Sequence, residues 1–397
     1  MNPWLRIFTP FAVGYFLSYL LRNVNAVIAP ELTRELALSA ADLGLLTSAY
    51  LLAFGAFQLP LGVLLDRYGP RKVEAGLLLI AAFGATVFAL SDSLAGLAGG
   101  RALIGLGVSA CLMASFKAFS LWFPAERQAS LNAAVMAAGG LGALTATTPL
   151  GWALPVFGWR GIFVAVAALV VLVAGLIFAT PERPPGNHRE TLGEQFAALG
   201  GILKSRVFWR FAPQTAAVVG GFMALQGLWA VPWLMQVGAC TRDQAAFHLL
   251  LTSGAMLIGF LSIAAFVVRL KHMGVHPEAI LKAGMGVGIG TLLLILLDIG
   301  PSHLLWFVLG LVFSVGNLAY ALLAAHFPRE LSGRVNTALN LGAFLGAFGI
   351  QWGIGALVDA LGASGIPTVE AYRWAFGALV AVQAASYGWF LLGARRQ

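Results

Sequence analysis

Short polar breaks divide the sequence into twelve long apolar stretches. Each stretch is long enough for an α-helix to cross the hydrocarbon core of a bilayer, which takes about 20 residues. Hydrophobic residues make up 59% of the 397 positions and charged residues only 10%. A water-soluble surface carries about a quarter or more of charged side chains. The pattern therefore excludes a soluble globular enzyme, a disordered chain and a nucleic-acid-binding protein, and it predicts an all-α integral membrane protein.

The polar breaks set the bounds of the predicted transmembrane helices. We place them at residues 8–29, 42–65, 73–91, 94–122, 129–153, 160–180, 208–236, 244–267, 277–298, 302–325, 333–358 and 372–393. The first apolar run is too long for a cleavable signal peptide, and Pro30 follows Ala29 where cleavage would fall. We expect it to remain as a helix of the mature protein.

The 24 lysine and arginine residues are distributed asymmetrically around these stretches. We assign Arg22, Arg101 and Lys117, which lie inside a stretch, to neither side. If successive stretches alternate in direction, 17 of the others fall on the side of the two termini and 4 on the opposite side. Cytoplasmic loops of membrane proteins carry such an excess. We therefore predict a bacterial-type inner membrane protein with both termini in the cytoplasm. Most of the basic residues behind the formal net charge of +8 then lie in cytoplasmic loops, close to the lipid headgroups of the bilayer.

A polar, proline-containing segment at residues 181–206 divides the chain nearly in half. We interpret it as a cytoplasmic linker between a six-helix bundle at 1–180 and a second one at 207–397. Two patterns repeat across it with an offset of 204 residues: Phe-Pro-Ala-Glu at 123–126 returns as Phe-Pro-Arg-Glu, and Leu-Gly-Ala at 141–143 returns unchanged. The repeat indicates two similar bundles, an arrangement that places a substrate site at their interface near the midplane.

A glycine- and arginine-containing motif follows the second stretch, where Gly62 begins the run G-V-L-L-D-R-Y-G-P-R-K. Gly69 predicts a tight turn, and Asp66 falls at a helix end, where it can face the N-terminus of a neighbouring helix. Arg67 and Arg71 fall at the level of the lipid headgroups. A generic positively charged loop explains the two arginines but neither Asp66 nor the glycines.

A second motif lies in the fourth stretch, where Arg101 precedes Gly105 and Gly107. The two motifs resemble the G-x-x-x-D-R-x-G-R-K and R-x-x-x-G-x-G signatures of the major facilitator superfamily (MFS), and the resemblance extends over the whole chain. It implies the MFS fold, with 12 transmembrane helices in two pseudo-symmetric six-helix bundles, and secondary transport by alternating access. A monomer is the usual state of the family. The resemblance also implies that the first motif forms a conformational latch between the halves, made by Gly62, Asp66, Arg67, Gly69 and Arg71.

The first stretch carries a polar stripe at helical spacing: Tyr15, Ser18, Tyr19, Arg22 and Asn25. Such a stripe should face a cavity rather than lipid. Arg22 lies too deep for easy snorkelling, so it contacts either a substrate or the backbone carbonyl groups of neighbouring helices. We predict that Tyr19, Arg22 and Asn25 bind the substrate.

Arg101 adds a second deep cation, and we assign it to the same site. The acidic residues all fall at the outer ends of the stretches or on the cytoplasmic side, so we expect no carboxylate deep in any span. A positive, water-accessible site without acids suits an anionic small molecule, whose charge supplies the missing counter-ion. It is poorly suited to a cationic drug or a polyamine.

The pair Arg22 and Arg101 is similar to that of the organic-anion branches of the superfamily, the anion/cation symporters and the organophosphate/phosphate antiporters. Leu21 stands where proton-coupled anion symporters often carry an acid. The seventh stretch lacks the arginine expected in a phosphate antiporter. These departures disfavour simple phosphate exchange and proton coupling through an acid beside Arg22.

The second half offers amide and aromatic side chains at helical spacing. Such a mixture suits a substrate with a ring or apolar part besides its charge. The predicted substrate-binding residues of this half are Gln226, Trp229, Asn336 and Asn340.

His248 and Lys117 are the candidate coupling groups, for a proton or another ion. His248 lies near the outer start of the eighth stretch and can titrate at physiological pH. Lys117 lies near the cytoplasmic boundary, where snorkelling or inter-helix support is an equal alternative to substrate contact. We expect Cys111 and Cys240 to be packing residues, and we expect no metal site and no cofactor.

Three functions remain open at this point. The leading one is a secondary active transporter that moves a small organic anion by alternating access. A broad-specificity, multidrug-type exporter is the alternative, and a transporter-like ligand sensor is less favoured because the chain has short termini and no signalling domain. A membrane enzyme is disfavoured because the spans hold no nucleophile–base pair.

Overall fold

The computed structural model describes residues 4–124, 128–181, 200–327 and 331–393, and every regular element in them is helical. A π-helical turn, Trp4–Phe8, precedes the first α-helix. The α-helices are α1 Thr9–Leu36, α2 Ala40–Leu90, α3 Leu94–Val108, α4 Cys111–Trp122, α5 Gln128–Thr145, α6 Thr148–Phe178, α7 Arg206–Ala224, α8 Ala230–Gln236, α9 Arg242–His272, α10 Pro277–Leu296, α11 Ser302–Phe313, α12 Leu318–Ala324, α13 Ser332–Ala363 and α14 Thr368–Gly393.

Two of these helices contain a sharp bend at a glycine. The backbone of Gly69 in α2 has φ 79° and that of Gly158 in α6 has φ 63°, values that strain any residue with a Cβ atom. Gly69 thus joins the second and third predicted helices within one turn. The described residues contain eleven helices that are long and apolar enough to cross a bilayer, and α5 is a shorter apolar helix in the place of the remaining one. The predicted all-α membrane fold is confirmed.

The fifth and sixth predicted helices differ from the structure in their bounds. We expected helices at 129–153 and 160–180 with a loop between them. Instead, α5 ends at Thr145, Ala146 and Thr147 leave the helix, and α6 then continues through Gly158. Because a single glycine changes the direction of the chain without a polar loop, hydropathy alone does not reveal such a junction.

The chain divides into two compact units. The N-terminal unit comprises Met1–Leu38 and Ala49–Gln195, and the C-terminal unit comprises Ser39–Ser48 and Phe196–Gln397. Most of the predicted linker, 181–206, lies outside the described residues.

The first turns of α2 therefore pack with the C-terminal unit. There the Asp359 carboxylate of α13 accepts hydrogen bonds from the backbone amides of Ala40 (3.1 Å) and Ala41 (2.7 Å). These amides belong to the first turn of a helix and have no partner within it, so the carboxylate satisfies them and opposes the positive end of the helix dipole.

The predicted repeat has a counterpart in how the helices pack inside each unit. A Cβ atom on Gly142 of α5 would lie 2.1 Å from the carbonyl oxygen of Phe16 on α1. A Cβ atom on Gly346 of α13, 204 residues later, would lie 2.3 Å from the carbonyl oxygen of Ala216 on α7. At both positions the absence of a side chain lets two helix backbones touch, as small residues do in membrane helix pairs.

A second pair of glycines repeats in the same way. Gly105 of α3 faces the carbonyl oxygen of Tyr50 on α2, at 2.2 Å from a Cβ placed there, and Gly310 of α11 faces that of Thr252 on α9, at 2.1 Å. The two units therefore share their closest helix contacts as well as their sequence pattern.

We expect Gly105→Ala to destabilise the protein, because the added methyl group collides with backbone, which cannot rotate away. Overpacking of this kind costs about 1–3 kcal/mol. The matched control is Gly99→Ala in the same helix, where nothing lies within 4 Å of the new methyl group. Thermal unfolding of detergent-purified protein should show a lower Tm for Gly105→Ala alone. Equal Tm values for both variants would contradict the packing described here.

Candidate functional site

Arg101 is fully buried in the N-terminal unit, with 0% of its surface exposed. Its Nη1 atom donates a hydrogen bond to the carbonyl oxygen of Leu21 on α1 (2.8 Å), and its guanidinium lies 4.7 Å from the centre of the Tyr50 ring. Its Nε and Nη2 atoms make no hydrogen bond to the described residues. The three N–H groups on these two atoms are thus without a partner among the described residues.

No carboxylate of the described residues forms an ion pair with Arg101. Arg210 of the C-terminal unit offers a direct comparison, because it is almost as deeply buried but pairs with Glu278. A buried cation without a counter-ion is costly, and such a group in a membrane protein usually serves a substrate or ion pathway.

The close packing of α3 on α2 sets the position of Arg101. Gly105 lies one turn after Arg101 and allows the α2 backbone to approach at Tyr50. Gly107 allows a second close approach of backbone on the other side of α3, where a Cβ atom would lie 2.3 Å from the backbone nitrogen of Ala81. The R-x-x-x-G-x-G motif therefore has a physical meaning here: its glycines bring α2 close enough for the arginine to lie over an aromatic ring.

Arg22 lies among aromatic side chains of α1 and α2. Its guanidinium is 4.7 Å from the centre of the Tyr19 ring and 4.8 Å from that of Phe54, and it interacts with the Tyr50 hydroxyl group. Arg22 is half-buried, as is Tyr19. Cation–π contacts of this kind hold a guanidinium in place without neutralising its charge.

Tyr50 connects the two arginines, and the sequence analysis missed it. Arg101 lies over its ring, Arg22 interacts with its hydroxyl group, and that hydroxyl donates to the carbonyl oxygen of Ser18 (3.4 Å). The structure thus brings Arg22 and Arg101 to the same side chain. The available signal was a single tyrosine in an otherwise apolar stretch, which helical periodicity does not distinguish from a packing residue.

The other two predicted groups of this unit lie in different surroundings. Asn25 is buried, one turn beyond Arg22 on α1. Lys117 is half-buried on α4, which a break at Ser109 and Ala110 separates from α3. No described contact links Lys117 with Arg22 or Arg101.

One carboxyl group that the sequence analysis counted among the cytoplasmic acids is buried inside the protein. Glu74, on the part of α2 that forms the third membrane helix, has 0% of its surface exposed. It comes two residues after the basic pair at 71–72, so the sequence placed it at the cytoplasmic boundary. The bend at Gly69 brings the chain back into the helix bundle sooner than the hydropathy pattern indicates.

In the C-terminal unit the predicted residues Gln226 and Trp229 lie in a π-helical segment, Leu225–Trp229, which changes the directions of their side chains. The Gln226 amide donates to the hydroxyl of Ser253 (3.1 Å), whereas the Trp229 indole donates to the carbonyl oxygen of Gln351 (2.8 Å) and is fully buried. We had placed the two on one face by regular α-helical spacing. The wider π turn breaks that spacing, and the structure does not bring them together.

Asn336 and Asn340 are both half-buried on α13. The Asn340 side-chain oxygen accepts a hydrogen bond from the Tyr320 hydroxyl (3.1 Å), whereas the Asn336 oxygen is buried and accepts none from the described residues. Gln214 and Gln351, which the sequence analysis did not select, are fully buried, and neither polar atom of either side-chain amide has a described hydrogen-bond partner.

His248 is half-buried in the second turn of α9, where its Nδ1 atom contacts the carbonyl oxygen of Gln244 (2.8 Å). No described contact joins it to another predicted site residue. Among the described residues, no three histidine, cysteine, aspartate or glutamate side chains are grouped so that they could hold a metal ion.

The predicted latch residues surround the bend of α2. Arg71 donates to the carbonyl oxygen of Thr180 at the end of α6 (3.0 Å), and the exposed Arg67 lies over the ring of its neighbour Tyr68. Gly69 forms the bend and Gly62 lies in the preceding helix. The side chain of Asp66 lies outside the described residues.

Helices that span a membrane, a repeated pair of units and a buried cation with free donors define the class of this protein, a multi-pass membrane transporter. The Major Facilitator Superfamily family model matches residues 11–350. The chain belongs to this superfamily, which confirms the resemblance found in the sequence. It is a secondary transporter of the alternating-access type and not an enzyme.

Two named relatives and one solved structure illustrate the similarity. The chain is 27% identical to the hexuronate transporter of Escherichia coli K12, over 93% of this chain and 90% of the relative. It is 26% identical to the galacturonate transporter of Dickeya chrysanthemi, over 50% of this chain and 63% of the relative. The crystal structure of a bacterial homologue of the human lysosomal transporter Spinster shares the fold, with a TM-score of 0.76, 18% identity and coverage of 100% of this chain and 98% of the other.

The contrast between Arg101 and Arg210 gives a stability prediction. Arg210→Met removes the buried partner of Glu278, which keeps only its pairing with Lys282 (3.0 Å), and should lower the unfolding free energy by about 1–3 kcal/mol. Arg101→Met removes a buried charge that has no described counter-ion and should leave the unfolding free energy unchanged or raise it. Thermal unfolding in detergent measures both effects. A large loss of stability in Arg101→Met would show that Arg101 serves the fold.

Proposed function

We propose that this protein transports a small organic anion across the membrane, and that the anion is a carboxylate of the sugar-acid class, such as a hexuronate. The observation that carries the proposal is Arg101, which is fully buried, has two nitrogen atoms without a hydrogen-bond partner among the described residues and has no described carboxylate paired with it. A carboxylate ligand completes such a guanidinium with charge-assisted, often bidentate hydrogen bonds.

The groups around the two arginines also suit a sugar acid. Tyr19, Tyr50 and Phe54 present aromatic faces, which pack against the C–H faces of a sugar ring. Asn25 offers an amide to the ring hydroxyls. We propose that Gln226, Asn336 and Asn340 supply further amides from the C-terminal unit, while the buried Trp229 supports them by packing. The named hexuronate and galacturonate relatives favour the same substrate class.

The remaining features of the proposal follow from the sequence. Both termini lie in the cytoplasm of a bacterial-type cell, in its inner membrane, because the basic residues collect on that side. The protein acts as a monomer with two bundles, 1–180 and 207–397, joined by the linker 181–206. Residues 62–71 act as a latch whose Arg71–Thr180 contact forms in one state of the transport cycle.

Transport into proteoliposomes tests the substrate class. Wild-type protein should exchange radiolabelled D-glucuronate and D-galacturonate between the two sides of the membrane. Arg101→Met and Arg22→Met should each reduce exchange by about 10- to 100-fold, because a hydrogen bond between charged groups contributes about 1.5–3 kcal/mol. The control is Arg373→Met, which removes an exposed arginine of α14 and should leave exchange unchanged.

Two other outcomes would overturn the proposal. Drug resistance on overexpression, unaffected by Arg22→Met, would identify a broad-specificity exporter. Saturable binding of the sugar acids without any flux would identify a ligand sensor.

A further inference from the structure

Glu74 is a buried acid that the proposed substrate site does not use. It lies on α2 with 0% of its surface exposed. Its Oε1 atom is directed at α1, where it would lie 2.5 Å from a Cβ atom on Gly14. Only glycine at position 14 leaves room for this carboxyl group. The acid is therefore held inside the packing of the N-terminal unit.

The groups that face Glu74 come from three other helices. From α4, the Cys111 thiol lies within hydrogen-bonding range of the carboxyl group. From α1 the neighbour is the backbone at Gly14, and the methyl end of Ile177 on α6 lies close to the same glycine. Arg71, one turn earlier on α2, is directed instead to the carbonyl oxygen of Thr180. Glu74 thus has one titratable neighbour, a thiol, and no ion pair with a described cation.

These surroundings favour the uncharged form of the carboxyl group. Neither oxygen receives a hydrogen bond from a backbone amide, a hydroxyl group or a basic side chain of the described residues. An ionised carboxylate in such a place costs far more than a neutral carboxylic acid, so the group takes up a proton when it is buried.

The same thiol lies between Glu74 and the surroundings of Arg22. Cys111 lies within electrostatic range of both Glu74 and Arg22, and Tyr15, adjacent to Gly14, lies within range of Cys111 and Arg22. The Tyr15 hydroxyl itself points to the Met136 sulfur (3.6 Å). Cys111 is thus a group that lies within electrostatic range of both the acid and Arg22.

We propose that Glu74 binds the proton that drives transport, so that the protein is a proton-coupled symporter. This inference rests on the function proposed above. A water-borne proton forms an O–H bond with one carboxylate oxygen of Glu74 on one side of the membrane and returns to water on the other, and no electrons move.

The charges of the site explain why the proton and the sugar-acid anion are transported together. When neither the proton nor the anion is bound, Arg22, Arg101 and the deprotonated Glu74 carry a combined net charge of about +1. One proton on Glu74 and one monoanionic sugar acid on the arginines leave that net charge unchanged. Binding of the proton alone or of the anion alone changes the net charge by one unit, which is costly in a low-dielectric interior. Coupling therefore follows from charge balance.

Glu74→Gln tests the proposal in proteoliposomes with radiolabelled D-glucuronate. A pH difference of one unit corresponds to about 1.4 kcal/mol per proton, and hence to about tenfold accumulation for one proton per anion. Wild-type protein should reach this accumulation. Glu74→Gln should equilibrate the anion without accumulating it, while exchange at equal pH persists. The control is Glu370→Gln, an exposed acid of α14, which should accumulate like wild type.

The two proposals fail in different ways. Absence of wild-type exchange would overturn the sugar-acid function. Wild-type exchange together with undiminished accumulation by Glu74→Gln would overturn the role of Glu74 alone. If Glu74→Gln does not fold, Glu74→Asp replaces it, and accumulation should then persist with a displaced pH profile. An unchanged profile in Glu74→Asp would count against the proposal.

A measurement without any substrate gives an independent result. Infrared difference spectra of wild-type protein between acidic and alkaline pH should contain the carbonyl band of a buried carboxylic acid that loses its proton, and this band should be absent from Glu74→Gln. A band that does not change with pH, or one that persists in Glu74→Gln, would show that Glu74 only packs.

Discussion

The buried guanidinium of Arg101 is the interaction on which the rest of the site depends. It is held by one backbone carbonyl group and one aromatic ring, neither of which cancels its charge. Arg210 shows that the same chain can bury an arginine in the usual way, with an acid beside it. Arg101 has no such partner among the described residues, and in the function proposed above the transported anion supplies the missing charge.

Much of the fold could be predicted from the sequence, because a bilayer leaves few alternatives. Backbone polar groups must be satisfied within each crossing segment, so twelve apolar stretches of sufficient length become helices. The glycine motifs were visible for a similar reason: helices that lack a hydrophobic driving force between them need small residues for close contact. Arg22 and Arg101 stood out because charge is rare in such stretches.

The parts that could not be predicted depend on local backbone geometry. The turn at Gly69 was predicted, but the burial of Glu74 that follows from the direction of the next helix was not, and the π-helical segment at 225–229 separated Gln226 from Trp229. Neither feature alters the hydropathy of the chain. Tyr50 was missed for a different reason. It contacts two arginines that are distant from it in the sequence, and a single sequence does not reveal such contacts.

The contact between Gly105 and Tyr50 has a consequence for how such a protein can change over time. Gly105 touches the backbone carbonyl oxygen of Tyr50, whereas the two arginines touch its side chain. The backbone contact between the two helices therefore does not use the side chain of residue 50. A substitution of similar volume at this buried position can alter the surroundings of both cations while the backbone contact persists, so the local chemistry can change without a new fold.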